Sequence, residues 1–171
     1  MISIGLVAFA AVQTWVVDAQ KAKVQFVAKG PFGKVNGHFT GLKSEIIFDE
    51  NNLAASSIKA SVDVKTIETG IGLRNKDLSE KEEWFNAPKY PEITIKSDKI
   101  EKLNSGYKLT GTLTMKDVTK PVLIAFSFTK TATGGNFSGQ FTINRADFGV
   151  GKSGGIVAND VIIELDIPVT K

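Results

Sequence analysis

The chain contains only two arginines beside nineteen lysines, and each arginine has an aspartate close by in the sequence. Arg74 precedes Asp77 by three residues, and Arg145 precedes Asp147 by two. A guanidinium offers five donors in a fixed planar fork, which suits it to hold a carboxylate or a carbonyl in one geometry. These four residues are therefore candidates either for structural anchoring or for contact with the head group of a ligand.

Other motifs of catalytic chemistry are weak in this sequence. Residues 146–153 match a relaxed phosphate-loop pattern, but a β-branched run follows where that loop requires a helix. The chain has no cysteine, and its one histidine, His38, lacks an evident serine partner. These features exclude a thiolate or multi-histidine metal site, and they predict that the protein is not an enzyme.

The charge pattern is that of a solvated surface. Lys and Arg number 21 and Asp and Glu number 18, which gives a formal net charge of +3. The lysines are scattered over alternate positions, as at Lys59 and Lys65, and do not form a basic stripe. This scattering argues against nucleic acid as a partner.

Alternation of apolar and polar residues dominates the chain from Trp15 onward. In residues 58–66 the even positions are apolar or threonine and the odd positions are polar, which is typical of a half-buried antiparallel strand. Similar runs occupy residues 23–29, 35–49 with a bend near Gly41, 92–100, 107–115, 122–128, 137–143 and 161–167. The pattern predicts about eight strands.

One segment, residues 72–85, breaks the alternation and predicts a short helical crossover. Within it, Ser79 and Glu82 have the spacing of a capping box, which predicts that Ser79 is the helix N-cap. An antiparallel chain with this number of strands must close into a barrel or pack as two sheets to remove its edges. Because successive hairpin connections favour closure, we expect an all-β, eight-stranded antiparallel barrel that forms a single domain over residues 12–171.

The predicted interior is almost free of charge. An eight-stranded barrel has an interior that side chains either just fill or leave open for one small ligand. Here phenylalanines alternate with Ala60, Gly111 and Gly139 on the inward rows, which is compatible with tight interdigitation or with space. A cavity so lined would take a hydrophobic chain, and the helical crossover would be its lid.

The N-terminal segment, residues 1–11, is an uncharged apolar run with a small-x-small pattern at residues 8–10. It is interpreted either as the remnant of a signal peptide or as an N-terminal extension that packs as an extra strand or helix. The run is too short to span a membrane.

The order of several short motifs resembles the YceI-like family of lipocalin-like polyisoprenoid-binding proteins. The most specific are Asn-Arg-x-Asp-Phe-Gly at residues 144–149 and Val-Thr-Lys-Pro-Val at residues 118–122. The other matches are Trp15-x-x-Asp18, Gly37-x-Phe39 with Phe48-Asp49, Arg74-Asn75-x-Asp77-Leu78, Trp84-Phe85-Asn86 followed by Tyr90-Pro91, and Gly111-x-Leu113. Two departures are Lys21-Ala22-Lys23, where a histidine-serine pair is common, and Asn86, where an aspartate is frequent.

The resemblance implies an exported bacterial protein, periplasmic or secreted, with a lipocalin-like barrel that holds an isoprenoid or other long amphiphilic lipid. The expected function is non-enzymatic binding or carriage of such a lipid, for example an isoprenoid quinone, with no further cofactor. Transient contact with a membrane and a monomeric or homodimeric state are also expected. The residues expected to line the ligand are Phe26, Phe39, Val62, Leu73, Leu78, Trp84, Phe85, Ile95, Leu109, Leu113, Phe126 and Phe141.

Two alternatives follow from the same residues. A filled barrel would act through its surface as a structural or partner-binding stress-response protein. An enzyme would use Arg74, Asp77 and Arg145 at the barrel mouth and would need a polar cleft with carboxylates. In the structural interpretation of the arginines, Arg145 pairs with Asp147 or Asp160 and pins the last two strands, while Arg74 ties the crossover to the barrel rim.

Overall fold

The computed structural model describes residues 12–171, so the predicted N-terminal segment, residues 1–11, lies outside the described residues. The strands are β1 (Thr14–Val17), β2 (Lys23–Gly30), β3 (Gly33–Phe39), β4 (Leu42–Ile47), β5 (Ser57–Asp63), β6 (Glu92–Lys102), β7 (Tyr107–Met115), β8 (Val118–Lys130), β9 (Gly134–Asn144) and β10 (Asp160–Thr170). The helix α1 spans Gly72–Glu80, and short 3-10 helices span Leu53–Ala55, Val64–Thr66 and Arg145–Phe148.

The sheet closes on itself. Strand β1 pairs with both β4 and β10, and this completes a ring of eight strands formed by β1 and by β4 to β10 in chain order. Strand β2 continues along β10 beyond β1, and β3 pairs with β2. Strands β1 and β2 thus form one interrupted strand, and β3 and β4 form another, so the ten segments amount to eight strands around the barrel. The predicted eight-stranded antiparallel barrel is confirmed.

The two interruptions have local causes. After β1 the chain turns at Asp18, whose carbonyl accepts from the backbone N–H groups of Lys21 and Ala22 at 3.0 and 2.9 Å. The bend between β3 and β4 lies at Gly41, as the sequence predicts. A Cβ atom added to Gly41 would lie 2.9 Å from Cβ of Asp63, so the close approach of β5 leaves no room for a larger residue.

One end of the barrel is filled by side chains, and we call it the filled end. Its buried residues are Trp15, Ile46, Phe48, Ile100, Tyr107, Phe137, Ile167 and Val169. Phe48 is 1% exposed and meets the rings of Tyr107, Phe126, Phe128 and Phe137 edge-on, at centroid distances between 5.0 and 5.9 Å. This aromatic packing makes one end of the barrel a conventional core.

The helix starts earlier than its capping pattern predicts. It begins at Gly72 and ends at Glu80, so the prediction that Ser79 is the N-cap is wrong. Ser79 is buried in the last turn, where its Oγ donates to the carbonyl of Lys76 at 3.2 Å. The start is held by Asn75, whose Oδ1 accepts from the backbone N–H of Thr69 at 2.9 Å, a contact that sequence spacing does not reveal.

Candidate functional site

The other half of the barrel contains a cavity of about 770 Å³. Strand alternation supplies its walls, since inward residues of the strands point into it and their polar neighbours point out. All twelve residues that the sequence predicts for ligand contact line this cavity: Phe26, Phe39, Val62, Leu73, Leu78, Trp84, Phe85, Ile95, Leu109, Leu113, Phe126 and Phe141. Their contact with a ligand remains a prediction.

The floor of the cavity belongs to the filled end. Ile46, Phe126, Phe137 and Ile167 line the cavity and also pack within or against the aromatic cluster. Phe48, which has the same inward register, is wholly enclosed by that cluster and does not reach the cavity. The cavity is therefore blocked at the filled end of the barrel.

Some of the small residues on the inward rows line the cavity, whereas another packs against a neighbouring strand. Ala60 and Gly139 line the cavity, together with Ser44 on the neighbouring strand β4. Gly111 does not, because β6 passes so close at its bulge that an added Cβ would lie 2.9 Å from Cα of Ser97. The sequence left both interpretations open for these positions, and the structure places Ala60 and Gly139 on the cavity wall and Gly111 in close strand packing.

The opposite end of the barrel, which we call the mouth, is bordered by α1, by the β2–β3 turn and by the segment after β9. Phe39 joins the walls to the crossover, with ring centroids 5.7 Å from Phe26 and 6.2 Å from Phe85. Leu78 and Trp84 are half-buried, whereas Leu73 is 72% exposed on the rim. The crossover thus covers part of the mouth, in the position of the predicted lid.

Arg74 fastens α1 to the segment that precedes it. Its Nε donates to Oγ1 of Thr69 at 2.8 Å, and its Nη2 donates to the carbonyl of Thr69 at 2.6 Å. Asp77 pairs with Lys81 at 3.0 Å, one helical turn away. Arg74 and Asp77 both line the cavity, but each is engaged by a different partner on the rim.

Glu68 links strand β3 to this attachment. Its backbone exchanges two hydrogen bonds of 2.9 Å with His38 of β3. Its Oε1 accepts from Nδ2 of Asn75 at 2.8 Å and from the backbone N–H of Gly70 at 2.6 Å. These two donors, Asn75 first, hold the pKa of Glu68 below its ordinary value of 4.5.

We expect the attachment of α1 to loosen in acid. A carboxyl group with a lowered pKa in the folded state stabilises that state above the pKa of the unfolded chain, and the contribution disappears as pH falls through the folded value. For Glu68 this window begins at about pH 4.5 and extends downward. Hydrogen-exchange protection of Gly70 and Asn75 should fall across it, and Glu68→Gln should remove the pH dependence. Protection that stays constant in the native protein would contradict the prediction.

Arg145 is buried, at 5% exposure, and its partners differ from those expected. Its Nε donates to the carbonyl of Ala158 at 3.0 Å and its Nη1 to that of Val150 at 2.7 Å. Its Nη2 donates to the carbonyls of Lys152 and Val157. Within residues 12–171 no carboxylate lies within ion-pair distance of this guanidinium, so the expected pairing with Asp147 or Asp160 is wrong.

The reason is the path of the chain after β9. The segment curls around the guanidinium and turns its carbonyls inward, while Asp147 stays exposed in the 3-10 helix. Burial without a carboxylate lowers the pKa of Arg145. Arg145 lines the cavity wall beside Trp84, with 5.7 Å between the guanidinium carbon and the ring centroid, whereas Asp147 does not line it.

Two residues that the sequence did not single out hold the same region together. Lys116, in the β7–β8 turn, donates from Nζ to the carbonyls of Glu82 and Gly149 at 2.7 and 2.8 Å. Gly151 has a φ of +69°, and an added Cβ would lie 2.6 Å from both Arg145 and Trp84. These contacts lock the turn after α1 against the segment after β9.

The cavity carries little polar chemistry. Its charged lining residues are Lys34, Arg74, Asp77 and Arg145, so Asp77 is the one carboxylate among the described lining residues. In the described part of the chain, no cluster of three or more His, Cys, Asp or Glu residues is suited to hold a metal ion. Within residues 12–171, too, no helix has the length and apolar character that crossing a membrane requires. The lining is therefore suited to enclose apolar groups.

Solved structures share this architecture. The crystal structure of BcnA from Burkholderia cenocepacia aligns with a TM-score of 0.86 at 28% identity, over 91% of this chain and 100% of that one. The YceI protein of Campylobacter jejuni aligns with a TM-score of 0.72 at 25% identity, over 80% and 85% of the two chains. A polyisoprenoid binding domain from Saccharophagus degradans, implicated in plant cell wall breakdown, gives 0.72 at 16% identity over 94% and 99%, a likeness of fold alone.

Curated relatives match over part of their length. A UPF0312 protein of Yersinia enterocolitica is 31% identical over 113 residues, which are 66% of this chain and 58% of the relative. A UPF0312 protein of Photorhabdus laumondii is 35% identical over 95 residues, which are 56% of this chain and 45% of the relative. The matched regions thus span about half of each relative.

The family comparison covers almost the whole of the described barrel. The family model of the YceI-like domain matches residues 15–169, from the tryptophan of β1 to the penultimate residue of β10. That range contains the cavity, the crossover and the segment around Arg145. The chain belongs to the YceI-like domain family.

Proposed function

We propose that the protein binds and carries a polyisoprenoid or similar long-chain amphiphilic lipid, and that it does so without catalysing a reaction. The observation that carries the proposal is the cavity, which is lined by apolar side chains, blocked at the filled end and bordered by a partly covered mouth. Its volume of about 770 Å³ lies in the usual range for ligand pockets.

The shape of the cavity favours a tail-first ligand. Entry from the mouth leads toward the aromatic floor, so an apolar tail would occupy the barrel and a head group would stay near the rim. The binding free energy would come from removing apolar surface from water, at about 25 cal/mol per Å². An isoprenoid quinone has this construction, with a long apolar tail and a compact polar ring.

The comparisons support the same ligand class. The Saccharophagus degradans domain, which shares the fold over 94% of this chain, is described as polyisoprenoid binding. Within the cavity lining, the guanidinium of Arg145 donates hydrogen bonds to four carbonyls, and the carboxylate of Asp77 forms an ion pair with Lys81. Neither group is arranged to attack or protonate a substrate, which favours a carrier over an enzyme.

The filled-barrel alternative depends on a solid interior. In this barrel the aromatic cluster fills one end and the other half is hollow. A protein acting only through its surface would gain stability by filling that space, because each lost methylene contact costs packing energy. The hollow half therefore favours a ligand inside the barrel.

We also propose that the protein is exported to the periplasm or secreted. The proposal is supported by the apolar run at residues 1–11 and its small-x-small pattern. Export would place the carrier where lipids must cross an aqueous space.

Native mass spectrometry of protein purified from a bacterial periplasmic fraction tests both proposals. We expect a mass increment that organic extraction removes and identifies as an isoprenoid lipid, and a chain mass that lacks the N-terminal run. Purified protein without co-purifying lipid and without measurable uptake of isoprenoid quinones from detergent micelles would refute the carrier function. Absence of the protein from the periplasmic and extracellular fractions would refute export.

A further inference from the structure

The mouth of the barrel exposes apolar side chains that also line the cavity. Phe32, in the β2–β3 turn, is fully exposed, Leu73 is 72% exposed and Ile71 is 52% exposed. Leu73 and Ile71 belong to the first turn of α1 and its N-cap. Apolar groups at these positions extend the cavity lining outward onto the surface, beside the charged rim residues Lys34, Arg74 and Asp77.

Phe32 stands at the tip of a tight hairpin. Gly30 and Gly33 close the turn as a register pair, which leaves Pro31 and Phe32 as its two loop residues. Gly33 has a φ of +118°, a conformation open to glycine and costly for other residues. The two-residue loop leaves the ring of Phe32 fully exposed at the edge of the cavity, where its burial requires an external partner.

Two lysines stand directly behind this ring. Lys29 and Lys34 are a register pair of β2 and β3, both are exposed, and Lys34 also borders the cavity at its mouth. Neither forms an ion pair within the described part of the chain. Like charges directly opposite each other on a sheet repel, and an anionic surface beside the hairpin would relieve that repulsion.

We propose that the mouth docks on an anionic lipid bilayer. Phe32, Ile71 and Leu73 enter the boundary between head groups and acyl chains, while Lys29 and Lys34 lie at the level of the anionic head groups. The partner is a bilayer because the exposed residues are continuous with an apolar cavity and are backed by positive charge. In this orientation a lipid tail passes between membrane and cavity without crossing water.

The docking proposal rests on the proposed function, which supplies the lipid ligand, but binding to the bilayer is measured separately from lipid uptake. Co-sedimentation with vesicles of phosphatidylcholine, alone or mixed with phosphatidylglycerol and free of isoprenoids, reports docking alone. We expect binding to the mixed vesicles and about tenfold weaker binding after Phe32→Ser. The matched control is Leu123→Ser, which removes a 64% exposed leucine from the outer face of β8.

The charges are tested with a second matched pair of variants. Lys29→Glu with Lys34→Glu is expected to weaken binding to the mixed vesicles about tenfold or more. Its control is Lys59→Glu with Lys96→Glu, which reverses another exposed register pair of lysines, on β5 and β6, by the same net charge. Equal losses in the two double variants would overturn the role of the hairpin and leave only a general effect of net charge.

A site-specific probe reports the orientation. The chain has no cysteine, so Pro31→Cys and Leu123→Cys each accept one environment-sensitive fluorophore. Only the label beside Phe32 should shift to the blue with mixed vesicles and be quenched by a lipid-borne quencher. No shift at Pro31→Cys, or the same shift at both sites, would overturn the proposal.

The outcomes separate this proposal from the carrier function. Lack of vesicle binding with intact quinone uptake from micelles would refute docking alone, whereas vesicle binding without uptake would refute the carrier alone. A stable dimer in solution that Phe32→Ser dissociates would show that a second copy of the chain covers the mouth, and this too would overturn the bilayer proposal.

Discussion

Replacing Ser44 and Ala60 together by tryptophan is expected to abolish uptake of an isoprenoid lipid while the barrel still folds. The two residues are a register pair on β4 and β5, and both line the cavity. Two adjacent indoles projecting from the same wall would obstruct the hollow half of the barrel, since each aromatic side chain of this size buries about 150–250 Å² of surface. The tail of the ligand would then find no path to the aromatic floor.

The matched control is Glu45→Trp with Lys59→Trp, the next register pair of the same strands, which points outward. It adds the same side chains and leaves the cavity unchanged. Quinone titration followed by native mass spectrometry measures uptake, and thermal unfolding measures folding. Uptake equal to that of the native protein in the inward variant would contradict the assignment of the cavity as the ligand site. The single change Ala60→Phe tests the same point with less risk of overpacking.

Arg145→Lys is expected to lower the free energy of unfolding by about 2–4 kcal/mol. The guanidinium supplies hydrogen bonds to the carbonyls of Val150, Lys152, Val157 and Ala158, and it is buried. A lysine ammonium offers a single point of charge and cannot reach four carbonyls spread around a planar fork. Carbonyls left unpaired in the interior account for the loss.

Urea unfolding measures this change through the midpoint and slope of the transition. The control is Arg74→Lys, where two hydrogen bonds to a single residue, Thr69, are at stake and the expected loss is about 1 kcal/mol. Lipid affinity per folded molecule should be unchanged in Arg145→Lys, because the guanidinium is engaged by the backbone. Unchanged stability with reduced lipid affinity would instead assign Arg145 to a ligand head group.

The crossover shows where local sequence signals were insufficient. Ser79 and Glu82 carry the spacing of a capping box, yet the helix begins seven residues before Ser79, at Gly72. Hydrogen bonds of Asn75 with Thr69 and Glu68 organise the start, and Glu68 is itself paired with His38 of β3. A tertiary contact thus overrode a local propensity.

Arg145 shows the same limit for electrostatics. Asp147 and Asp160 are near in sequence, and proximity predicted an ion pair. The conformation of residues 149–158, with left-handed glycines at 149, 151 and 154, presents carbonyls to the guanidinium instead. Backbone acceptors carry no residue signature, so no pattern of residue types could have revealed them.

The sequence by itself determined the class of the fold, because a period of two with apolar residues on one face permits only strands with one buried side. It also determined which residues face inward, since a register shift of one residue would expose the whole apolar set. Only the tertiary structure decided that the barrel is hollow at one end. The volume left by Ser44, Ala60 and Gly139 depends on strand closure and on how far the aromatic cluster around Phe48 extends along the axis. That balance arises from side chains distant in sequence, and packing alone resolves it.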